Sequence, residues 1–430
     1  MKTVEKIYLL FALLYMARGI IPIAAGQGDR SQIPQFDATS FLLQAAVFAI
    51  FALLILVHWK SFASGVRASG WLMALCGLAI VSTAWSPEPF FSFRRAIILL
   101  GTTMIGIYMA ARFDWDEQLN LFGWLTAVAV AGSFVMAIFF PQYGISHDVH
   151  AGDWKGLFPH KNALGLQMVF GIMALAIGRP KSMPKGIFGL CLFGAAILLA
   201  LSRSATAAVV IVVIAAMYIT LHLLRVRRRR TLPLWLVFTP LILTGIALIA
   251  LNQATILGML GRDSTLTGRT AVWSAVIDAI RERPVLGYGY ADFWRWGLQG
   301  EARDVLTAIH WSGLQQAQSG YFDLCLDLGF VGLAIFLCGL GVAMWRGLKL
   351  FRSGTAQAAK WPIMFLAFFF IYNFVESSLL QLFTFLWVPY VSVFVSLALM
   401  QRAEQPEFEF EKPERAEMMG LPAPSESTGI

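Results

Sequence analysis

Three arginines stand where a positive charge is costly or needs a reason, and together they could hold an anion. Arg203 occupies the tight Ser202-Arg203-Ser204 turn between two apolar stretches, while Arg262 and Arg269 flank the run Asp263-Ser264-Thr265-Leu266-Thr267-Gly268. A charged side chain at membrane depth is a functional candidate by default. Arginine suits a phosphate because its planar fork donates two parallel hydrogen bonds and stays charged in a low-dielectric site. A diphosphate leaving group would need that stabilisation as charge develops on it. Plainer accounts stay open: Arg203 as an arginine that snorkels to the outer interface, and Arg262 paired with Asp263 or Glu301.

The second candidate segment is Gly152-Asp153-Trp154-Lys155-Gly156-Leu157-Phe158-Pro159-His160-Lys161-Asn162, too rich in aromatic and basic residues for a plain connector. His160 and Lys161 open an apolar span, so they could place a proton-transfer group and a cation at a helix N-terminus, or simply cap it. Arg94 and Arg95 follow Trp85-Ser86-Pro87-Glu88-Pro89 on the side where topology disfavours positive charge, and so could extend the same basic surface. In the longest polar segment, Val272, Trp273, Val276, Ile277 and Ile280 recur at helical spacing between Gly268 and Pro284, with Asp278, Arg281 and Glu282 off the stripe. This predicts an amphipathic helix on the membrane surface or on the bundle, with Arg269 at its start.

The elements that must position these residues are transmembrane helices. The 430 residues are 58% hydrophobic and 13% charged, and apolar runs near the roughly 20 residues needed to cross a bilayer recur throughout. Lipid cannot satisfy exposed backbone groups, so the fold class expected is an all-α polytopic membrane protein of about a dozen spans. The spans fall near 7–24, 40–58, 70–85, 95–111, 119–140, 162–178, 186–201, 204–223, 233–252, 321–345, 361–377 and 379–399, with a large outer loop over about 252–320. Lys60, Arg67, Arg112, Arg179, Lys181, Lys185, Arg225, Arg227 to Arg230, Arg346, Lys349, Arg352 and Lys360 then fall in inside connections, as the positive-inside rule requires. Met1 to Gly26 has signal-peptide features, but the many spans that follow favour a retained first helix. Residues 1–400 form the transmembrane domain, and 401–430, rich in Glu, Pro and Ser, read as a disordered cytoplasmic tail.

The net charge of +8 is better explained by topology than by nucleic-acid binding, because the basic residues cluster at the ends of apolar segments. Cys76, Cys191, Cys325 and Cys338 lie in apolar stretches without metal-ligand or disulfide spacing. Gly287-Tyr288-Gly289-Tyr290 follows an amphipathic helix rather than a strand, so no nucleotide loop is indicated. A reaction outside the cytoplasm without nucleotide is the natural setting for an already activated, lipid-linked donor.

At these residues the sequence resembles the O-antigen ligase and polymerase superfamily, and within it the exopolysaccharide-production type. The resemblance rests on Ser82-Thr83-Ala84-Trp85-Ser86 with Arg94-Arg95, Gly156-Leu157-Phe158-Pro159-His160-Lys161-Asn162, Ser202-Arg203-Ser204, and the segment from Gly261 to Thr270 with Trp273. It continues through Arg283-Pro284-Val285-Leu286-Gly287-Tyr288-Gly289, Gly320-Tyr321 and Asn373-Phe374-Val375-Glu376-Ser377, covering roughly residues 80 to 380. It implies a metal-independent, cofactor-free glycosyltransferase of GT-C-like architecture on the outer face of the bacterial inner membrane. Such proteins move a glycan from undecaprenyl diphosphate to an acceptor sugar hydroxyl (polymerase) or to the lipid A core (ligase). Arg203 and Arg269 would hold the diphosphate, with Arg262 and Lys161 beside them. The implied partners are an undecaprenyl-diphosphate-linked oligosaccharide, an acceptor glycan, membrane lipids and other polysaccharide export components. A lipid-linked-glycan transporter is the alternative from another class.

One departure bears on the chemistry. Where the family commonly carries His-Asn before the Gly-Tyr that opens the next span, this chain has Gln318-Ser319-Gly320-Tyr321. Glutamine cannot accept a proton as a general base. Either His310 takes that role, or His160 or Glu376 does, or position alone activates the acceptor, or activity is lost.

The charge distribution makes a direct prediction. Reporter fusions after Arg230 and after Gln401 should report cytoplasm and a fusion at Gly300 the outside; a cytoplasmic signal at Gly300 would overturn the placement of every candidate residue above.

Overall fold

The computed structural model describes residues 2–17, 38–147, 151–226, 267–295, 297–309, 314–352, 359–381 and 384–404. The span expected at 233–252, Arg227 to Arg230, Arg262, His310 and the tail beyond Glu404 lie outside the described residues, as does the side chain of Arg269. Among the described residues the protein is helical, with a single antiparallel bridge between Ile145 and Trp154. The helices are α1 (Lys2–Met16), α2 (Ala38–Val57), α3 (Trp59–Ala68), α4 (Gly70–Val81), α5 (Pro89–Arg112), α6 (Trp115–Phe139), α7 (Lys161–Ile177), α8 (Lys185–Leu201), α9 (Ala205–Val226), α10 (Thr267–Glu282), α11 (Gly320–Arg352), α12 (Lys360–Val375) and α13 (Trp387–Glu404).

Among the described residues, α5, α6, α9 and α11 are long and apolar enough to cross a membrane, and α2 with α3 makes a fifth such span if that pair, bent by 101°, is counted as one. Gly70–Ala84, Lys161–Ile177, Lys185–Leu201 and Lys360–Val375 are shorter apolar helices at positions expected to span. The short α3 was not anticipated. It carries Lys60 and Arg67 on one side and buries Phe62 on the other, as an interfacial helix does.

Helix starts follow local chemistry. Pro89 stands at the first position of α5, where its fixed φ is pre-organised, so this helix begins six residues before the expected span at 95. Asp114 and Glu117 close a capping box on α6. At the other extreme, α13 starts at Trp387 rather than near 379. The chain leaves α12 at Glu376, and the Asn373 carboxamide oxygen accepts from the Ser378 and Leu379 backbone N–H groups, which holds an irregular turn where helix was expected.

The core is dominated by α12 and α13: Trp361 and Phe365 of α12 pack on Phe122 of α6 and Phe170 of α7, while Trp387 and Tyr390 of α13 face α5 and α11, and all four are almost completely buried. Gly106 of α5 is required there, since a Cβ would lie 2.6 Å from the Val391 side chain. One end of the bundle gathers basic residues. Lys2 and Lys6 reach Glu117, Arg112 pairs with the buried Glu5, Lys181 pairs with Asp116, and Arg402 donates to the Arg67 carbonyl.

The opposite end is closed by a joint between chain segments far apart in sequence. Helix α11 breaks at Gly329 (φ 65, ψ −167), and the loop after α10 fills the break. Phe330 N donates to Pro284 O, Val331 N to Val285 O, Tyr288 N to Leu326 O and Gly289 N to Asp327 O. Within 320–328, Phe322, Cys325 and Leu326 pack with Val272, Val276 and Ile280 of α10 in a second small core, while Leu324 and Leu328 stay in the main one. The apolar stripe of α10 is thus spent on protein, with Ile277 left 36% exposed.

This backbone conformation is accessible essentially to glycine alone, and a Cβ at Gly329 would lie 2.1 Å from Val285 O. Gly329→Ala should cost about 1–3 kcal/mol or more, read as a lowered melting temperature of the purified protein. Gly341→Ala, where a Cβ meets nothing within 4 Å, should be nearly neutral. Equal stability of the two variants would contradict the joint.

Candidate functional site

Four short segments, drawn from three well-separated stretches of the sequence, meet at the end of the bundle opposite the basic one. The first is the start of α7. His160 caps it, its Nδ1 accepting from Ala163 N at 3.3 Å, so the capping half of its expected role is present. Lys161 turns back to Asp153, with Nζ 2.7 Å from Oδ2. Asn162 looks the other way. Its Oδ1 accepts from Ser204 Oγ at 2.8 Å and its Nδ2 donates to Glu376 Oε1 at 3.3 Å.

The second segment is the three-residue link between α8 and α9, Ser202 to Ser204. Ser202 Oγ donates to Leu199 O at the end of α8, and Ser204 Oγ accepts from Ala207 N at the start of α9. Arg203 between them sits at φ 47, a left-handed conformation unusual for a long side chain. Gly165 lets α7 come this close, because a Cβ there would lie 2.7 Å from Ala207 Cβ and 2.9 Å from Ser202 Oγ. The third segment is the loop before α7. Trp154 N donates to Leu201 O, which docks the loop on the end of α8 and buries Asp153 between the two cations, 3.7 Å from Arg203.

The fourth segment is the pair of turns at the start of α11 and the end of α12. Gly320 N donates to Glu376 O, Ser319 Oγ to Asn373 O and Ser377 Oγ to the buried Asp323 carboxylate. Asp323 also accepts from Trp294 Nε1 and Ala317 N, each at 2.9 Å. These contacts hold Gln318, half-buried at φ 54, against the turn that carries Glu376. Glu376 is 5% exposed and lies 3.9 Å from His160 Nε2.

Asp153 is buried and lies between Lys161, at 2.7 Å, and Arg203, at 3.7 Å, and the Arg203 side chain is 63% exposed. An incoming phosphate could take the guanidinium without leaving Asp153 uncompensated. Among the described residues no group of three or more His, Cys, Asp or Glu side chains is placed to hold a metal.

Of the residues singled out from sequence, Lys161, Arg203, His160, Gln318 and Glu376 fall in this one region. Arg269 begins α10, the helix packed on 320–328. Arg94 and Arg95 do not extend the cluster in the way expected. Arg95 donates to Ala291 O and stacks over Phe91 at 4.3 Å, and Arg94 lies over the same ring at 5.9 Å.

They belong to a separate lock between the α4–α5 turn and the loop after α10. There Trp85 Nε1 donates to Leu286 O, Tyr290 N to Ser82 Oγ, and the buried Asp292 accepts from Ser86 Oγ, Glu88 N and Arg295. Burial and the Glu282 carboxylate raise the Tyr288 phenol above its ordinary range, so it serves as a neutral donor. The motif around Trp85 is therefore structural.

Sequence reading passed over Asp153, Asp323 and Asp292. For Asp323 a signal existed: a carboxylate three residues into an apolar helix is costly unless partnered. Asp153 and Asp292 gave none, since each lies in a polar loop among other charges.

One end of this helical membrane protein thus brings together an arginine turn, a cation at a neighbouring helix start and two buried carboxylates. Among known proteins, residues 188–337 match the family described as O-Antigen ligase. The chain is also 25% identical over 377 residues to the Exopolysaccharide production protein ExoQ of Rhizobium meliloti (strain 1021), an alignment covering 84% of each chain. Both agree with the resemblance read from the motifs.

The backbone at Arg203 separates its two roles. Arg203→Gly relieves a left-handed residue and should be at least as stable as Arg203→Ala. Both should weaken pyrophosphate binding to the purified protein by about tenfold or more, and Arg203→Lys should be intermediate because the fork is lost. Calorimetric affinity unchanged in a stable Arg203→Gly protein would remove this residue from the anion site.

Proposed function

We propose that this chain is a polysaccharide polymerase of the bacterial inner membrane, joining glycan repeats carried on undecaprenyl diphosphate at the outer face. The observation that carries the reading is the convergence of Lys161, Arg203 and Glu376 through Asn162 at the end of the bundle remote from the basic connections. With about a dozen spans and both termini in the cytoplasm, that end faces the periplasm.

In the proposed reaction an acceptor sugar hydroxyl attacks the anomeric carbon of the donor glycan. The new C–O bond forms as the bond to the diphosphate oxygen breaks. The hydroxyl proton passes to a protein base, and undecaprenyl diphosphate departs with its charge held by Arg203 and Arg269, assisted by Lys161 and Arg262. The family histidine position is Gln318, which serves to position the acceptor. His310 is one candidate base. Glu376 with His160 is the other, and its support is that this pair lies beside the anion-binding residues with the carboxylate held by Asn162.

Two other readings have specific support. The family description favours a ligase, which uses the same donor chemistry and delivers the finished glycan to lipid A core. The break in α11 would favour a transporter, since broken helices line transport sites. Against that, the 284–289 segment satisfies backbone groups on both sides of the break, so the joint is filled with protein.

Deleting the gene and sizing the surface polysaccharide separates the readings. A polymerase leaves single repeats, a ligase leaves full-length chains on the carrier lipid, and a transporter leaves lipid-linked glycan inside. Wild-type chain lengths on the surface of the deletion strain would contradict all three.

A further inference from the structure

The basic end of the bundle holds a recess that neither topology nor glycan transfer uses. It is a shallow, open recess between the last turns of α11 and α13, lined by Arg346, Lys349 and Leu350 of α11 and by Leu397, Met400 and Gln401 of α13. Arg346 and Lys349 are three residues apart, so they share one face of α11. Arg402 stands close enough to Arg346 for the two guanidinium groups to repel each other, and it is fixed there by its bond to Arg67 O at the end of α3. Among the described residues, neither Arg346 nor Lys349 has a carboxylate partner.

Orienting a membrane protein requires positive charge in its inside connections and nothing more specific. Two cations of α11 on the recess wall with Arg402 of α13 beside them are a different arrangement, unfavourable in itself unless an anion sits among them. The apolar wall says what kind. A free phosphate gains nothing from Leu350, Leu397 and Met400, whereas a phospholipid sets its phosphate on the cations and its acyl chains along the apolar side. Trp345, 56% exposed beside Arg346, and Trp59, 58% exposed at the start of α3, are amphipathic rings of the sort that settle at headgroup level.

We infer that this recess is a binding site for an anionic phospholipid headgroup of the leaflet at that end, clamping α11, α13 and α3 together. Such surfaces are drawn to anionic lipid by each Lys or Arg near the headgroups.

The test uses the full chain, purified and exchanged into mixed phosphatidylcholine and phosphatidylglycerol, with retained lipid counted by native mass spectrometry. The wild type should retain phosphatidylglycerol selectively. Arg346→Gln with Lys349→Gln should lower its apparent affinity about tenfold, while Lys60→Gln with Lys185→Gln, which removes as much charge from the same end, should leave it unchanged. Gln401→Trp, which fills the recess and removes no charge, should also lower retention and guards against a folding defect in the double variant. The inference is overturned if the two lipids are retained equally, if both double variants lose binding alike, or if excess inorganic phosphate displaces the bound lipid.

Discussion

The carboxamide of Asn162 joins three helix ends. Its oxygen takes the Ser204 hydroxyl from the α8–α9 turn, and its nitrogen donates to the Glu376 carboxylate at the end of α12, while its own backbone begins α7. Both halves of the amide are used, so its orientation is determined and each partner is aimed by the other. Apolar packing between helices is weakly directional, because lipid tails are as apolar as the helix faces. Polar contacts at the helix ends therefore fix the arrangement, and a site made from turns depends on them. Lys161 and Arg203 inherit their positions as the neighbours of Asn162 and Ser204.

The second constraint is backbone satisfaction around Gly329. Breaking a long apolar helix exposes N–H and C=O groups that cannot be left bare. The 284–289 segment supplies partners for them and in doing so ties α10 and the loop after it to the bundle. This is how α10 comes to be held against the turn bearing Gln318. Asp292 and Asp323 brace the same region from two sides, each buried and each accepting several donors.

Much of this was legible in the residues. Apolar runs of bilayer length located α5, α6, α9 and α11, and the period of Val272, Val276 and Ile280 located α10 and its buried face. Lone charges beside apolar spans pointed to Arg203 and Lys161. What sequence could not give was partnership. Nothing local distinguishes Arg95, which braces a loop, from Arg203, which stays accessible, because the difference lies in the carbonyl of Ala291 about two hundred residues away. The bend between α2 and α3, and the irregular turn after Glu376, were equally hidden. Both depend on tertiary hydrogen bonding and interfacial placement rather than on hydropathy.

The central claim is that the cluster organised by Asn162 receives the diphosphate of a lipid-linked donor. A structure of the protein with undecaprenyl diphosphate bound tests it most directly. The account predicts the diphosphate within hydrogen-bonding distance of Arg203, with Lys161 and the start of α10 beside it. Diphosphate density at the basic end near Arg346, or anywhere out of reach of Arg203, would contradict it.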